Sequence, residues 1–201
     1  VADDYTAQAM IMTDLDNNQI TAFHPGAMMQ AHITRVEKRA DISLGIVSPD
    51  GRDAMLQHAQ QFAQAGIPFV FDPGQGLPMF NGEELRHFID LATWVTVNDY
   101  EEKMLSDRTG MDSAAISAKV KGLVVTLGAN GCEVWQQGQM HLVPPVKATA
   151  VIDPTGCGDA WRSALLFGLD QDWDLLRCAE LGNKIGAIKI ASRGPQNYAL
   201  T

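Results

Sequence analysis

Leu123-Val-Val-Thr-Leu127 is an almost unbroken apolar run, with no face suited to water. A strand of that kind must be covered on both sides, which is the situation of a central strand in a parallel sheet with helices above and below. The rest of the chain supplies the other parts of such a sheet. Asp41 to Val47, Ile67 to Phe71 and Trp94 to Val97 read as further buried strands. Between them lie segments of helical period. Gly51 to Gly66 carries Met55, Leu56, Ala59, Phe62 and Ala65 on one face and ends on a glycine stop, and Glu83 to Leu91 and Asp99 to Ser106 follow the same logic. Two longer helices, Gly158 to Gly168 and Trp173 to Ser192, complete the sequence. Two hairpins flank the alternation. Thr6 to Thr13 and Gln19 to His24 face each other across Asp14-Leu-Asp-Asn-Asn18, and Cys132 to Trp135 faces Met140 to Val143 across Gln136-Gln-Gly-Gln139. Strands alternating with helices predict a single α/β domain over 1–201, built on a mainly parallel sheet.

Composition narrows the function. With 46% hydrophobic residues among 201, the chain can bury a real core. Its net charge of −9 opposes a phosphate backbone, and no basic run with interleaved aromatics is present, so nucleic acid is excluded as a partner. Apolar stretches are broken too soon to span a bilayer, which excludes a membrane partner. No basic-then-apolar leader opens the chain, and Cys132, Cys157 and Cys178 form no C-x-x-C and no zinc-ligand spacing. Reduced thiols and a cytoplasmic location are expected. Val1 stands where an initiator Met would, so the sequence reads as a piece of a longer chain.

In parallel α/β sheets, ligands sit beyond the carboxyl ends of the strands. Loops in that class carry polar or glycine-rich chemistry at Asp72 to Gln75, Asn98 to Glu101, Gly128 to Gly131 and Asp153 to Asp159, and they are expected to share one crevice. The last is the most informative. Gly156 and Gly158 bracket Cys157 and open a helix, where consecutive N–H groups and the helix dipole favour a phosphoryl group. Asp159 stands at the mouth of that cradle, placed to take a proton from a hydroxyl. The same residues alone would also serve as a helix cap and a chain turn. No G-x-G-x-x-G follows a strand and no Walker loop exists, which argues against a dinucleotide oxidoreductase.

Asp153-Pro-Thr-Gly-Cys-Gly-Asp159 closely resembles the D-T-x-G-A-G-D signature of the ribokinase (PfkB) family of carbohydrate and nucleoside kinases, with Pro154 and Cys157 as departures. Thr96-Val-Asn-Asp-Tyr-Glu101 is similar to the family's N-x-x-E motif, and Thr126-Leu-Gly-Ala-Asn-Gly131 to its T-L-G-x-x-G loop. His24-Pro-Gly-Ala27 is similar to its H-x-G-A segment, with His24 read as structural. The resemblance implies a ribokinase-like three-layer α/β/α fold, with residues 1–30 as a lid or hairpin region and the family's N-terminal part lacking. It implies ATP and Mg2+ as cofactors, Asp159 as base, and the amides of Gly156, Cys157 and Gly158 as an anion hole. Asn98 and Glu101 would organise magnesium, Glu101 through water. Thr126, Gly128 and Gly131 would meet the nucleotide phosphates, and Asn183 on the late helix would neighbour the base. Many members respond to a monovalent cation, so Asp153 and Thr155 become candidates for K+, although Tyr198 falls where a smaller polar residue is frequent. Cys157 has two readings, a reactive thiol at a helix N-terminus or a small residue filling a tight turn.

The implied activity is phosphoryl transfer to a primary hydroxyl of a sugar or nucleoside. Adenosine is favoured because Asp14-Leu-Asp-Asn-Asn-Gln-Ile-Thr-Ala-Phe-His-Pro-Gly-Ala-Met28 looks most like bacterial adenosine kinases. Ribose and fructose are the alternatives. A truncated, non-catalytic nucleotide-binding module is the other class, since the family's G-G-x-x-x-N acceptor motif is not in the sequence. An exposed sheet edge would favour a homodimer.

Overall fold

The computed structural model describes residue 1 and residues 3–14, 19–36 and 41–200. Its main body is a six-stranded sheet in which every strand pairs with its neighbour in sequence. Strands β3 (Gly45–Val47), β4 (Phe69–Phe71), β5 (Trp94–Asn98) and β6 (Gly122–Thr126) run parallel. Strands β7 (Cys132–Gln136) and β8 (Gln139–Val143) add an antiparallel hairpin. The first hairpin, β1 (Gln8–Thr13) and β2 (Gln19–His24), forms a separate two-stranded sheet in the register Gln8↔His24 to Thr13↔Gln19. Residues 15–18 of its expected turn lie outside the described residues.

The period of two along the strands sorts the core into two layers. Phe69, Phe71, Val95, Val97, Leu123 and Val125 face helices α1 (Arg52–Ala65), α2 (Gly82–Leu91), α3 (Asp99–Thr109) and α4 (Ser113–Ser117). Val70 and Val124 face the other way, onto α5 (Cys157–Asp170) and α6 (Leu175–Ile190). The expected both-faces burial of the Leu123 run is therefore met. On the first face, Phe88 of α2 stacks on Phe71 with ring centroids 4.5 Å apart and takes Phe80 edge-on at 5.0 Å. Each such fully buried side chain contributes about 1.5–3 kcal/mol of transfer free energy.

Local signals set the ends. Gly66 closes α1 in the left-handed region at φ 69°. Asn81 with Glu84 and Asn98 with Glu101 make reciprocal capping boxes at α2 and α3. Strand β3 is shorter than the Asp41 to Val47 expected, and Ser43 is drawn off to donate to Asp170 at 2.6 Å. Helix α4 and the 3-10 segments Gly26–Ile33 and Gly74–Met79 were not expected, being too short to leave a helical period in the sequence.

Candidate active site

Of the four loops expected to share one crevice at the carboxyl side of the sheet, those after β6 and before α5 line a common cavity, whereas those after β4 and β5 do not line it and are tied to α5 through Arg162. Two features occupy that side, and α5 joins them.

The first is a cavity of about 720 Å³. Thr126, Gly128 and Gly131 line one wall, and Pro154, Cys157, Gly158 and Trp161 line another. Its volume lies in the range of small-molecule sites, about 300–1,000 Å³. The Gly128–Asn130 turn is tight because Gly131, at φ 88°, lies against the Val143 carbonyl, where any Cβ would collide. Asn183 also lines this cavity but is almost fully buried. Its Nδ2 donates to Pro144 O at 2.9 Å and Val143 O at 3.3 Å, while its Oδ1 accepts from Trp161 Nε1 at 3.0 Å. Both of its amide protons are thus spent on the wall itself. Asn183 shapes the pocket, and its remaining capacity towards a base is a single oxygen lone pair.

The second feature is the turn entering α5. Gly156 sits at φ 81°, a conformation side chains resist, and a Cβ there would meet Pro195 at 2.8 Å. The turn thus brings the amides at residues 156–158 to the helix N-terminus with no Cβ at either glycine; Pro195 packs against Gly156, the Arg162 guanidinium lies beside Gly158, and the Cys157 N–H donates to Pro154 O at 3.1 Å. Asp159, in the first turn of α5, is exposed beside them. Cys157 behaves as filler. Its Sγ lies 3.9 Å from the Asp153 carbonyl, and burial pushes its thiol up from the ordinary value, against the opposing pull of Lys189.

Sequence reasoning missed the residue that links these loops. Arg162, one turn after Asp159 on α5, pairs with both oxygens of Asp72 at the end of β4, with Nη2–Oδ1 at 2.9 Å and Nε facing Oδ2. Its Nη2 lies 4.0 Å from Glu101 Oε2, and its Nη1 would be 2.5 Å from a Cβ at Gly158. The guanidinium thus reaches from the β4 and β5 loops to the cradle. The signal was present in the i, i+3 spacing from Asp159, but an arginine on a helix is ordinarily solvated. Asp72 is 3% exposed. Burial pushes its carboxyl up to about 6, Arg162 pulls the other way, and the charges of Glu101 and Asp159 add to the rise.

Asn98 and Glu101 cap each other: Oδ1 of Asn98 accepts from Glu101 N at 2.8 Å, and Oε2 of Glu101 accepts from Asn98 N at 2.8 Å. The helix-start reading of this pair therefore holds, and it fixes the carboxylate of Glu101 near Arg162. Thr126 lies at the rim, its Oγ1 3.4 Å from Val97 O.

Residues 1–201 match the pfkB family of carbohydrate kinases. The chain belongs to that family. Among solved structures, the nucleoside kinase of Burkholderia thailandensis in complex with inosine superposes with a TM-score of 0.96 at 52% identity, covering 99% of this chain and 66% of that one. The same enzyme in complex with ADP-inosine gives a TM-score of 0.93. The nucleoside kinase of Methanocaldococcus jannaschii, a ribokinase family member, superposes at 0.90 with 28% identity, over 98% of this chain and 65% of that one. The fold is thus ribokinase-like, as the signature implied. This pfkB family chain spans about two thirds of the length of those relatives.

Proposed function

We propose that the chain carries the nucleotide-binding and catalytic part of an ATP-dependent kinase that phosphorylates the primary hydroxyl of a nucleoside, with adenosine as the favoured acceptor. The observation that carries this reading is the pairing of the glycine turn at 156–158, with Arg162 beside it, and the exposed Asp159 at the edge of a cavity of about 720 Å³. A glycine turn at a helix N-terminus with a guanidinium beside it suits a migrating phosphoryl group, and a carboxylate at its edge suits an attacking hydroxyl. The likeness to nucleoside kinases, one of them in complex with inosine, supports a purine nucleoside over ribose or fructose. ATP would lie with its base in the cavity and its phosphates over Gly128, Gly131 and the cradle.

In this mechanism Asp159 accepts the proton of the acceptor hydroxyl as it attacks. The amides of Gly156 and Gly158 stabilise charge on the transferring group, that of Cys157 joins them on leaving the Pro154 carbonyl, and Arg162, held by Asp72, adds a fixed positive charge beside them. Among the described residues no cluster of three or more acidic, His or Cys side chains is placed to cage a metal, so the fit is to a hydrated divalent cation held mainly by the nucleotide's own phosphates. Glu101 and Asn98 would hold magnesium through water, and magnesium when bound supplies neutralisation of the phosphates. Residues 1–30 would act as a lid or hairpin over the acceptor.

The test is ADP release by the 201-residue chain with ATP and magnesium, offering adenosine, inosine, ribose and fructose separately. We expect a purine nucleoside to be required. Asp159→Asn is expected to lower turnover by about 10²–10⁴-fold while leaving nucleotide affinity unchanged within about twofold. Turnover retained in that variant would remove Asp159 from the role of base. Nucleotide binding with no acceptor-dependent release would make the chain a nucleotide-binding module instead.

A further inference from the structure

Lys189, in the last turn of α6, is fully buried, and nothing in the mechanism above uses it. Its ammonium donates to the Asp153 carbonyl at 2.6 Å and to the Ser192 carbonyl at 3.4 Å. A buried ammonium is costly unless its protons are satisfied and a counter-charge is near. Here two carbonyls accept from the ammonium, and counter-charge is near. The C-terminus of α6 presents partial negative charge, and the Asp153 carboxylate is close enough to feel the ammonium.

The surroundings of Asp153 leave little for an added ion. Its Oδ1 accepts from Thr155 N at 2.9 Å and its Oδ2 from Gly194 N at 2.7 Å. The N–H of Thr155, then that of Gly194, then the Thr155 side chain and the Lys189 charge hold the Asp153 carboxyl down to about 2. The Asp153 carbonyl is already taken by Lys189, and the N–H groups of Ile152 and Asp153 both donate to Ile190 O. Positive charge, carbonyl ligands and carboxylate are thus assembled without any ion from solution. A second cation at Asp153 and Thr155 would compete with the ammonium for the same oxygens and be repelled by it. The residues present do not fit K+.

We propose that Lys189 is an internal replacement for a monovalent cation: its ammonium ties the loop before the anion cradle to the turn after α6, so the cradle keeps its shape without potassium. Lys189 touches no substrate in this arrangement and is a positioning residue. It fixes Asp153 and Thr155, and through them the turn at Gly156 packed on Pro195. The inference rests on the reading of residues 156–158 as a phosphate cradle.

The intact chain is compared in potassium, sodium and tetramethylammonium chloride at equal ionic strength, reading melting temperature, ADP affinity and acceptor-dependent ADP release. We expect all three to agree across the salts, with affinities within about twofold. In Lys189→Ala, ADP affinity in tetramethylammonium should fall about tenfold or more, and potassium or ammonium ions, which fit the vacated volume, should restore several-fold of it. Wild-type stability or affinity that rises strongly with potassium overturns the proposal. A folded Lys189→Ala chain with normal affinity, or with a loss that neither ion repairs, does so as well. The wild-type salt comparison stands even if the variant does not fold. The melting arm needs no nucleotide, so failure of the kinase reading would appear as absent ADP binding and release with the melting result still readable.

Discussion

Replacing Asp72 by Asn should remove a pH-dependent stability term of predictable size. Burial raises the folded-state pKa of Asp72 to about 6 from an ordinary 3.8, even with Arg162 beside it. The sign is the reverse of the usual salt-bridged carboxylate. Between these two values the folded chain holds the proton that the unfolded chain has released, so stability falls as pH rises from about 4 through 6. At about 1.4 kcal/mol per pKa unit, the whole span is about 3 kcal/mol, and the part between pH 7.5 and pH 5 is about 1.4 kcal/mol. Asn at this position cannot titrate, and the cost of leaving Arg162 without its main partner is nearly the same at both pH values. Urea unfolding of both proteins at pH 5 and pH 7.5 therefore isolates the term. On going from pH 7.5 to pH 5, wild type should gain about 1.4 kcal/mol relative to the variant, about 3–6 °C in melting temperature for a chain of this size. Parallel behaviour within about 0.3 kcal/mol would mean that burial does not dominate at Asp72. A relative loss by wild type at pH 5 would mean that the pairing with Arg162 outweighs burial, and the account of this cluster would be wrong.

Two glycines on α6 should respond in opposite directions. A Cβ at Gly182 would lie 2.5 Å from the Trp161 indole, so Gly182→Ala is expected to cost about 1–3 kcal/mol by overpacking the α5–α6 contact, whereas Gly186 has nothing within 4 Å and Gly186→Ala should stabilise by about 0.5–1 kcal/mol while narrowing the cavity it lines. Thermal unfolding of the two variants checks both signs. Cys132 and Cys178 are pushed up to about 11 and Cys157 is also raised, all mainly by burial, so iodoacetamide at pH 7.5 should label the native chain at least about tenfold more slowly than free cysteine. One fast thiol mapped to Cys157 would restore the reactive reading of that residue.

The fold was largely readable because its determinants are local. The apolar run at residues 123–127, the helical period of α1 and the glycine stop at Gly66 each specify their element without help from distant residues. The cradle was readable for the same reason, since Gly156, Gly158 and Asp159 are contiguous. What escaped notice depends on contacts across long stretches of chain. Arg162 meets Asp72 from 90 positions away, and Lys189 reaches the Asp153 carbonyl from 36. Neither residue type signals burial, and only the docking of α5 and α6 onto the sheet makes them internal cations. Asn183 shows the limit from the other side: its place on the late helix was legible, but the carbonyls of Val143 and Pro144 that claim its amide belong to the far end of β8 and the loop beyond.

The neighbour-by-neighbour order of the six strands has a consequence for biosynthesis. As the chain leaves the ribosome, each strand from β4 to β8 finds its partner already waiting, and the face covered by α1 to α4 can consolidate as it emerges. The opposite face gains its cover only when residues 157–190 arrive, and until then Val70, Val124 and Val134 are open to water. A stalled or slowed chain would thus expose a sticky half-covered sheet, the kind of surface that holdase chaperones grip. Nucleotide cannot rescue that intermediate, because the helix that opens the cradle follows all six strands of the sheet in the chain.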